Sequence, residues 1–304
     1  MRVKFWGVRG SIATPGPATI KYGGNTSCVE VGINDYVLVL DAGTGIRLLG
    51  LDLLRRHSNS RIHLLISHPH WDHIQGLPFF LPAFRDGYEL SIYGHESKDQ
   101  ELEKTLANQM DPLYFPVQLG DLSAKLNFNK VDEGSFYIED VRIDTMFLNH
   151  PGYNLGYRIT YQEKSLVYAT DNQPFGQSRV LGMWATEEYF EQIKNRQFPY
   201  LHLNHEDPDQ RIIDFARDAD LLIHDAQYTT SELGAKSDWG HSSYVFATEV
   251  AANANVKSLI LFHHDPEHSD AIVNKMEKQA QSLLHKTNPE ISCQAAYEGL
   301  EIKM

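Results

Sequence analysis

Short apolar runs broken by glycine, proline and small polar residues set the rhythm of this chain. Residues 3–6 form the first run and predict a strand. A loop rich in glycine, proline and threonine follows over 7–25. Residues 28–31 and 36–40 predict two strands joined by a turn at Gly32, Ile33, Asn34 and Asp35. The stretch Asp41-Ala42-Gly43-Thr44-Gly45 then breaks into a helix near 46–57, and 62–66 predicts the next strand. A strand at 91–93 and a helix at 98–109 come next, and strands dominate from 125 to 169, most clearly at 141–147, 155–161 and 165–169. A helix falls within 204–218, with Asp207 as its cap and Pro208 at its first position. Runs 221–223 and 259–262 are wholly apolar, as buried strands are, with a helix at about 242–252 between them. Ser269 caps a last helix whose apolar positions Ile272, Val273, Met276, Ala280, Leu283 and Leu284 share one face. The first half is hairpin-rich and the second alternates strand with helix. That favours a layered α/β (α+β) sandwich with helices outside two mixed sheets. No linker composition and no internal repeat divides residues 1–304, which predicts a single domain.

Composition narrows the class. With 304 residues and 42% hydrophobic content the chain can build a substantial core. The first residues lack the apolar stretch of a signal peptide, and no run approaches the length of a membrane span. Cys28 and Cys293 are the only cysteines, too few for a disulfide framework, so a cytoplasmic location is expected. Lys and Arg number 27 against 40 Asp and Glu, a net charge of −13. Large nucleic acids are disfavoured by that balance, whereas a small anionic ester is not.

The chemistry concentrates at Ser67-His68-Pro69-His70-Trp71-Asp72-His73. Three histidines and an aspartate follow an apolar strand and precede another apolar run, so a folded core anchors them. An H-x-H at a strand end sends both imidazoles to one side, and the turn carries Asp72 and His73 to a second centre. Imidazole with carboxylate is a ligand set for zinc and similar ions. Two adjacent ions suit hydrolysis by a metal-activated water.

Gly7 to Ser11, the D-A-G-T-G at Asp41, the H-P-H-W-D-H at His68 and the F-H-H-D-P at Phe262 occur in order along nearly the whole chain. In this the sequence resembles the metallo-β-lactamase superfamily, in the branch of tRNase Z and small-molecule phosphodiesterases. The resemblance implies a four-layer αββα sandwich with two divalent ions, zinc foremost and manganese or iron as alternatives. It implies His68, His70 and His150 as ligands of one ion, Asp72 and His73 with His263 as ligands of the other, and Asp171 as the bridging carboxylate. His264 stays open as a substitute for His263, and Asp41 takes a supporting role. The block His224-Asp225-Ala226-Gln227-Tyr228 with Gly240-His241-Ser242-Ser243 resembles the branch's acid–histidine pair. Asp225 would orient His241, which protonates the leaving oxygen, so the catalytic set is Asp72, Asp225 and His241. The tRNase Z branch usually carries glutamate at the Asp225 position, and its basic tRNA-holding arm has no counterpart here. Both points favour a phosphodiesterase.

Residues 175–206 form a long aromatic insertion, a lid or a dimer contact or else an extra helical hairpin packed on the fold, and Tyr153 is a candidate for stacking on a base. His202 and His205 are not expected to be ligands. The expected activity is hydrolysis of a small cyclic phosphate ester, a cyclic mononucleotide or cyclic ribose phosphate, by metal-bound hydroxide, in a homodimer with no membrane partner. The alternatives are RNA 3′-end cleavage and non-catalytic sequestration of a nucleotide.

Overall fold

The apolar runs pair into two sheets that follow one plan. The computed structural model describes residues 1–34, 36–56, 61–97, 101–175, 209–236 and 239–304. They fall into two units, Met1–Asp132 with Ala296–Met304, and Glu133–Ala295. The first unit holds β1 (Arg2–Gly7), β2 (Cys28–Ile33), β3 (Tyr36–Leu40), α1 (Ile46–Arg55), β4 (Arg61–Leu65), α2 (Trp71–Ile74), β5 (Glu89–Gly94), α3 (Leu102–Asn108), β6 (Lys125–Lys130) and the returning β14 (Glu301–Lys303). The second holds β7 (Gly134–Ile138), β8 (Val141–Phe147), β9 (Leu155–Tyr161), β10 (Lys164–Ala169), α4 (Gln210–Ala216), β11 (Leu221–Asp225), α5 (Thr230–Leu233), α6 (Tyr244–Asn253), β12 (Ser258–Phe262), α7 (Asp270–Thr287) and β13 (Ser292–Ala295).

The first sheet runs β14-β1-β2-β3-β4-β5-β6 and the second β13-β12-β11-β10-β9-β8-β7. In the first, β14, β1, β2 and β3 pair antiparallel, and β3, β4, β5 and β6 pair parallel. The second repeats this, antiparallel from β7 to β10 and parallel from β10 to β13. Mixed pairing is thus a property of both sheets, as the sequence pattern predicts. Each half is one mixed seven-strand sheet with its own helices, and the two together make up the metallo-β-lactamase fold. Parallel strands β3, β11 and β12 are buried along almost every position, as strands with both faces covered must be. Helix α1 buries Ile46, Leu49 and Leu53 at helical spacing against Val39 and Leu64 of the first sheet's core.

Element boundaries differ in instructive places. Strand β4 stops at Leu65, so the H-x-H lies beyond it rather than at its end. Helix α4 begins at Gln210 with Asp209 at the cap position, and Asp207 and Pro208 lie outside the described residues. The Asp209 carboxylate accepts the Phe175 N–H at 2.7 Å instead of capping the helix. The 98–100 start of the helix predicted at 98–109, residue 57 and nearly all of the 175–206 insertion, including His202 and His205, also lie outside the described residues. Helix α7 buries Val273, Met276, Ala280 and Leu284, while Ile272 is 37% exposed and Leu283 half-buried, off that stripe. Among the described residues no helix is long and apolar enough to cross a membrane.

Candidate active site

Chemistry-bearing residues of each unit gather just past the carboxyl ends of its strands, most of them parallel ones. In the first unit, Asp41 follows β3 directly and is fully buried in a left-handed conformation (φ 62°). Its carboxylate accepts the Ser67 N–H at 2.7 Å and the Ser67 hydroxyl at 2.8 Å, and it meets His73 Nδ1 at 2.7 Å. One buried carboxylate therefore ties the start of the histidine loop to its end. Gly43 allows the backbones to approach, since a side chain there would collide with the Asp72 carbonyl and the Thr26 hydroxyl. Past Ser67 the chain is extended, and the His68 and His70 rings lie 4.4 Å apart between centroids. His68 is buried and His70 exposed. The single turn α2 then places Asp72 and His73, both buried, with His73 Nε2 3.2 Å from Asp72 Oδ2. That oxygen also accepts the Ser11 N–H at 2.7 Å, from a residue whose own φ is 63°.

In the second unit, His150 follows β8, Asp171 follows β10, Asp225 ends β11 and His263 follows β12. Asp171 (φ 54°) and His263 (φ 61°) are left-handed like Asp41. Left-handed Asp and His are uncommon, and strain of this kind collects at functional sites. Asn154 supports the Asp171 turn by donating to the carbonyls of Thr170 and Asp171 at 2.9 and 2.7 Å. Asp171, Asp225, His241 and His263 are all buried and bring one ligand atom each within 4.8 Å of the others. His263 belongs to that group, and His264 does not.

Tautomers follow from the fixed acceptors. His150 Nδ1 lies 2.9 Å from the Gly240 carbonyl, which can only accept, so Nδ1 carries the proton. Gly240 holds φ 86°, and a side chain there would strike the His150 ring. His263 Nδ1 lies 2.8 Å from Gln227 Oε1 and donates likewise. The Nε2 lone pairs of both then face Asp171, at 3.8 Å from Oδ2 for His150 and 3.2 Å from Oδ1 for His263. His73 repeats the pattern in the first unit, with Nδ1 on Asp41 and Nε2 toward Asp72. Acceptors aimed at acceptors in a buried setting call for a cation between them, and nitrogen with carboxylate oxygen is the donor set of zinc. The residues fit a divalent metal on this ground, and the histidines' outer hydrogen bonds are those that orient metal ligands.

Asp225 serves a different purpose. Its Oδ1 accepts the N–H groups of Gln227 and Ser242 at 3.1 and 2.8 Å, and its Oδ2 meets His241 Nδ1 at 2.8 Å. The His241 ring stacks on His263 with centroids 5.0 Å apart and abuts Tyr228 edge-on at 5.7 Å. Burial, then Asp225, Asp265, Asp171 and Glu232, push the Tyr228 phenol well up, so it stays protonated. Helix α6 begins just beyond His241, with the Ser243 hydroxyl accepting the Phe246 N–H at 3.3 Å. Tyr153 packs on Phe147 with ring centroids 5.7 Å apart. Ser67, Gln227 and Gly240 were not singled out from sequence as orienting groups. The one sequence signal for Gln227 is its place two residues from Asp225.

Residues 36–188 match the family model described as "Beta-lactamase superfamily domain". Ribonuclease Z of Picrophilus torridus is 24% identical over 302 residues, covering 93% of this chain and 91% of the relative. Ribonuclease Z of Thermoplasma acidophilum is 28% identical over 296 residues, covering 90% and 89%. Among solved structures, a diphosphatase from the PhnP family superposes with a TM-score of 0.64 at 16% identity, covering 100% of this chain and 97% of the other. The family match shows that the chain belongs to the metallo-β-lactamase superfamily, and its buried His/Asp clusters are those of a metal-dependent hydrolase of that superfamily.

Proposed function

We propose that this hydrolase is a phosphodiesterase that opens a small cyclic phosphate ester, with His241 protonating the leaving oxygen. The observation that carries the reading is the buried Asp225–His241 pair at 2.8 Å, beside a cluster built for a cation. In this reading His68, His70, His150 and Asp171 serve one ion, and Asp72, His73, Asp171 and His263 the second. Zinc suits the donors best, with manganese and iron also compatible. When bound, such ions polarise phosphate oxygens and lower the pKa of water toward neutrality. The chain's own residues do the rest. Asp41 and Gln227 fix the rings of His73 and His263. Asp225 holds His241 by Nδ1, which leaves Nε2 to hold a proton and release it to the departing alkoxide as the P–O bond breaks. The net charge of −13 favours a small ester over a polyanion, and a cytoplasmic homodimer is the expected setting.

A second reading, cleavage of RNA at a tRNA 3′ end, draws on the two ribonuclease Z relatives that align over nine-tenths of this chain. A panel of 2′,3′- and 3′,5′-cyclic mononucleotides, a cyclic ribose phosphate and a precursor tRNA separates the two. Each is assayed with zinc and with manganese, beside His70→Ala. Metal-dependent turnover of a cyclic ester, lost in His70→Ala, is expected. Cleavage of the precursor tRNA with a steep salt dependence, and of no cyclic ester, would replace the first reading by the second.

A further inference from the structure

The first unit carries a cavity beside the histidine loop that the metal chemistry does not use. It measures about 620 Å³ and is bordered by Pro69 and Trp71, the two chain neighbours of His70. Phe79, Tyr114 and Phe115 supply further rings, and Gln75, Asn108 and Gln109 supply amides. Trp71 is 78% exposed and Tyr114 76%. Phe79 and Phe115 meet edge to face with centroids 5.3 Å apart, which braces that wall. Among the described residues no lining side chain is charged. The Gln109 amide nitrogen is buried and has no hydrogen-bond partner among the described residues.

These features select a ligand class. Aromatic surface left open at this density marks a binding site, and the volume lies within the roughly 300–1,000 Å³ of small-molecule sites. An uncharged wall offers a phosphate nothing. A flat heterocycle finds ring faces to stack on and amides for its polar edge. Pro69 and Trp71, on either side of His70 in the chain, border the cavity, so it adjoins the histidine loop. We infer that the cavity is a nucleobase subsite. It holds the base of a nucleotide phosphodiester on Trp71 and Tyr114, with the amides of Gln75, Asn108 and Gln109 at its edge. The inference rests on the phosphodiesterase reading only for the phosphate attached to that base.

Free nucleosides test it, because they carry the ring and no phosphate. Titration of adenosine and of uridine into the full chain should quench tryptophan fluorescence. The quench should disappear in Trp71→Leu, and the affinity should fall roughly tenfold or more in Tyr114→Ala. Wild-type kcat/KM should favour a cyclic nucleotide over the base-free cyclic ribose phosphate, and Trp71→Leu should shrink that preference by a similar factor, chiefly through KM. Absence of quenching, or quenching retained in both variants, overturns the subsite even if cyclic esters are hydrolysed. A changed oligomeric state in Trp71→Leu with nucleoside binding intact also overturns it, and assigns the face to contact between copies. Nucleoside binding that the variants abolish, in a protein that hydrolyses no cyclic ester, upholds the subsite and defeats the phosphodiesterase.

Discussion

Three residues that the site depends on, Asp41, Asp171 and His263, are held in left-handed backbone conformations at strand ends. Each is gripped by hydrogen bonds that repay the strain. Asp41 sets the tautomer of His73 and binds Ser67 through both oxygens. Asp41→Asn keeps the shape and tolerates the φ, but it places an amide where a carboxylate accepted three times. Metal affinity should fall about 10- to 100-fold, as measured by competition with a chromophoric chelator, while circular dichroism stays that of the folded chain. The candidate ligand residues stood out in the sequence, because histidine and aspartate at such spacing have few other uses. The groups that orient them were not. Gly240 meets His150 from 90 positions away through a backbone carbonyl, which carries no side-chain signature. Gln227 reaches His263 across 36 positions as a neutral amide that could equally face solvent.

Among elements, the parallel strands were the easiest to read and the edges the hardest. Strands β3, β11 and β12 carry the apolar runs 36–40, 221–223 and 259–262, and nearly all their positions are buried, as strands covered on both faces must be. Strands β13 and β14 went unpredicted, since they are short, polar and half-exposed, the usual dress of an edge. The one-turn helix α5 also lacks an apolar run and is defined by its cap. Thr229 and Glu232 form a capping box, and His268 Nε2 adds a contact to Glu232 at 2.9 Å. Burial opposes the charge on Glu232, but Thr229 and then His268 outweigh it and hold the carboxyl down at about 2 against its ordinary 4.5. A carboxyl depressed on folding lends stability above its unfolded value and loses it as pH falls through the folded one. The melting temperature of wild type should therefore exceed that of Glu232→Gln by a constant margin above pH 4.5. That margin should shrink between pH 4.5 and about 2. A margin independent of pH across that window would show that the carboxylate's charge contributes nothing.

For the whole molecule, two sheets of identical pairing order stand where the sequence shows no repeat. Pairing order is a property of backbones, and many unrelated apolar runs satisfy it, so sequence similarity between the halves is not required. Charge is the other molecular property. Buried carboxylates face imidazole lone pairs in both units, so removing a bound cation leaves like dipoles opposed. Chelation should lower the melting temperature, and added zinc should restore it with a logarithmic dependence on free metal. The gain should approach about 2.7 kcal/mol at a hundredfold excess over Kd. Stability unmoved by chelator would mean that these clusters hold no ion.

The most direct test compares two substrates of His241→Ala. One is a cyclic nucleotide, whose leaving alkoxide needs a proton, and the other is bis(p-nitrophenyl) phosphate, whose leaving group departs as a stable anion. If His241, held by Asp225 at 2.8 Å, protonates the leaving oxygen, kcat on the cyclic nucleotide should fall about 10²- to 10⁴-fold. On the p-nitrophenyl ester it should then stay within about tenfold of wild type. An equal loss on both substrates would contradict the account and make His241 a ligand or a structural residue rather than the acid.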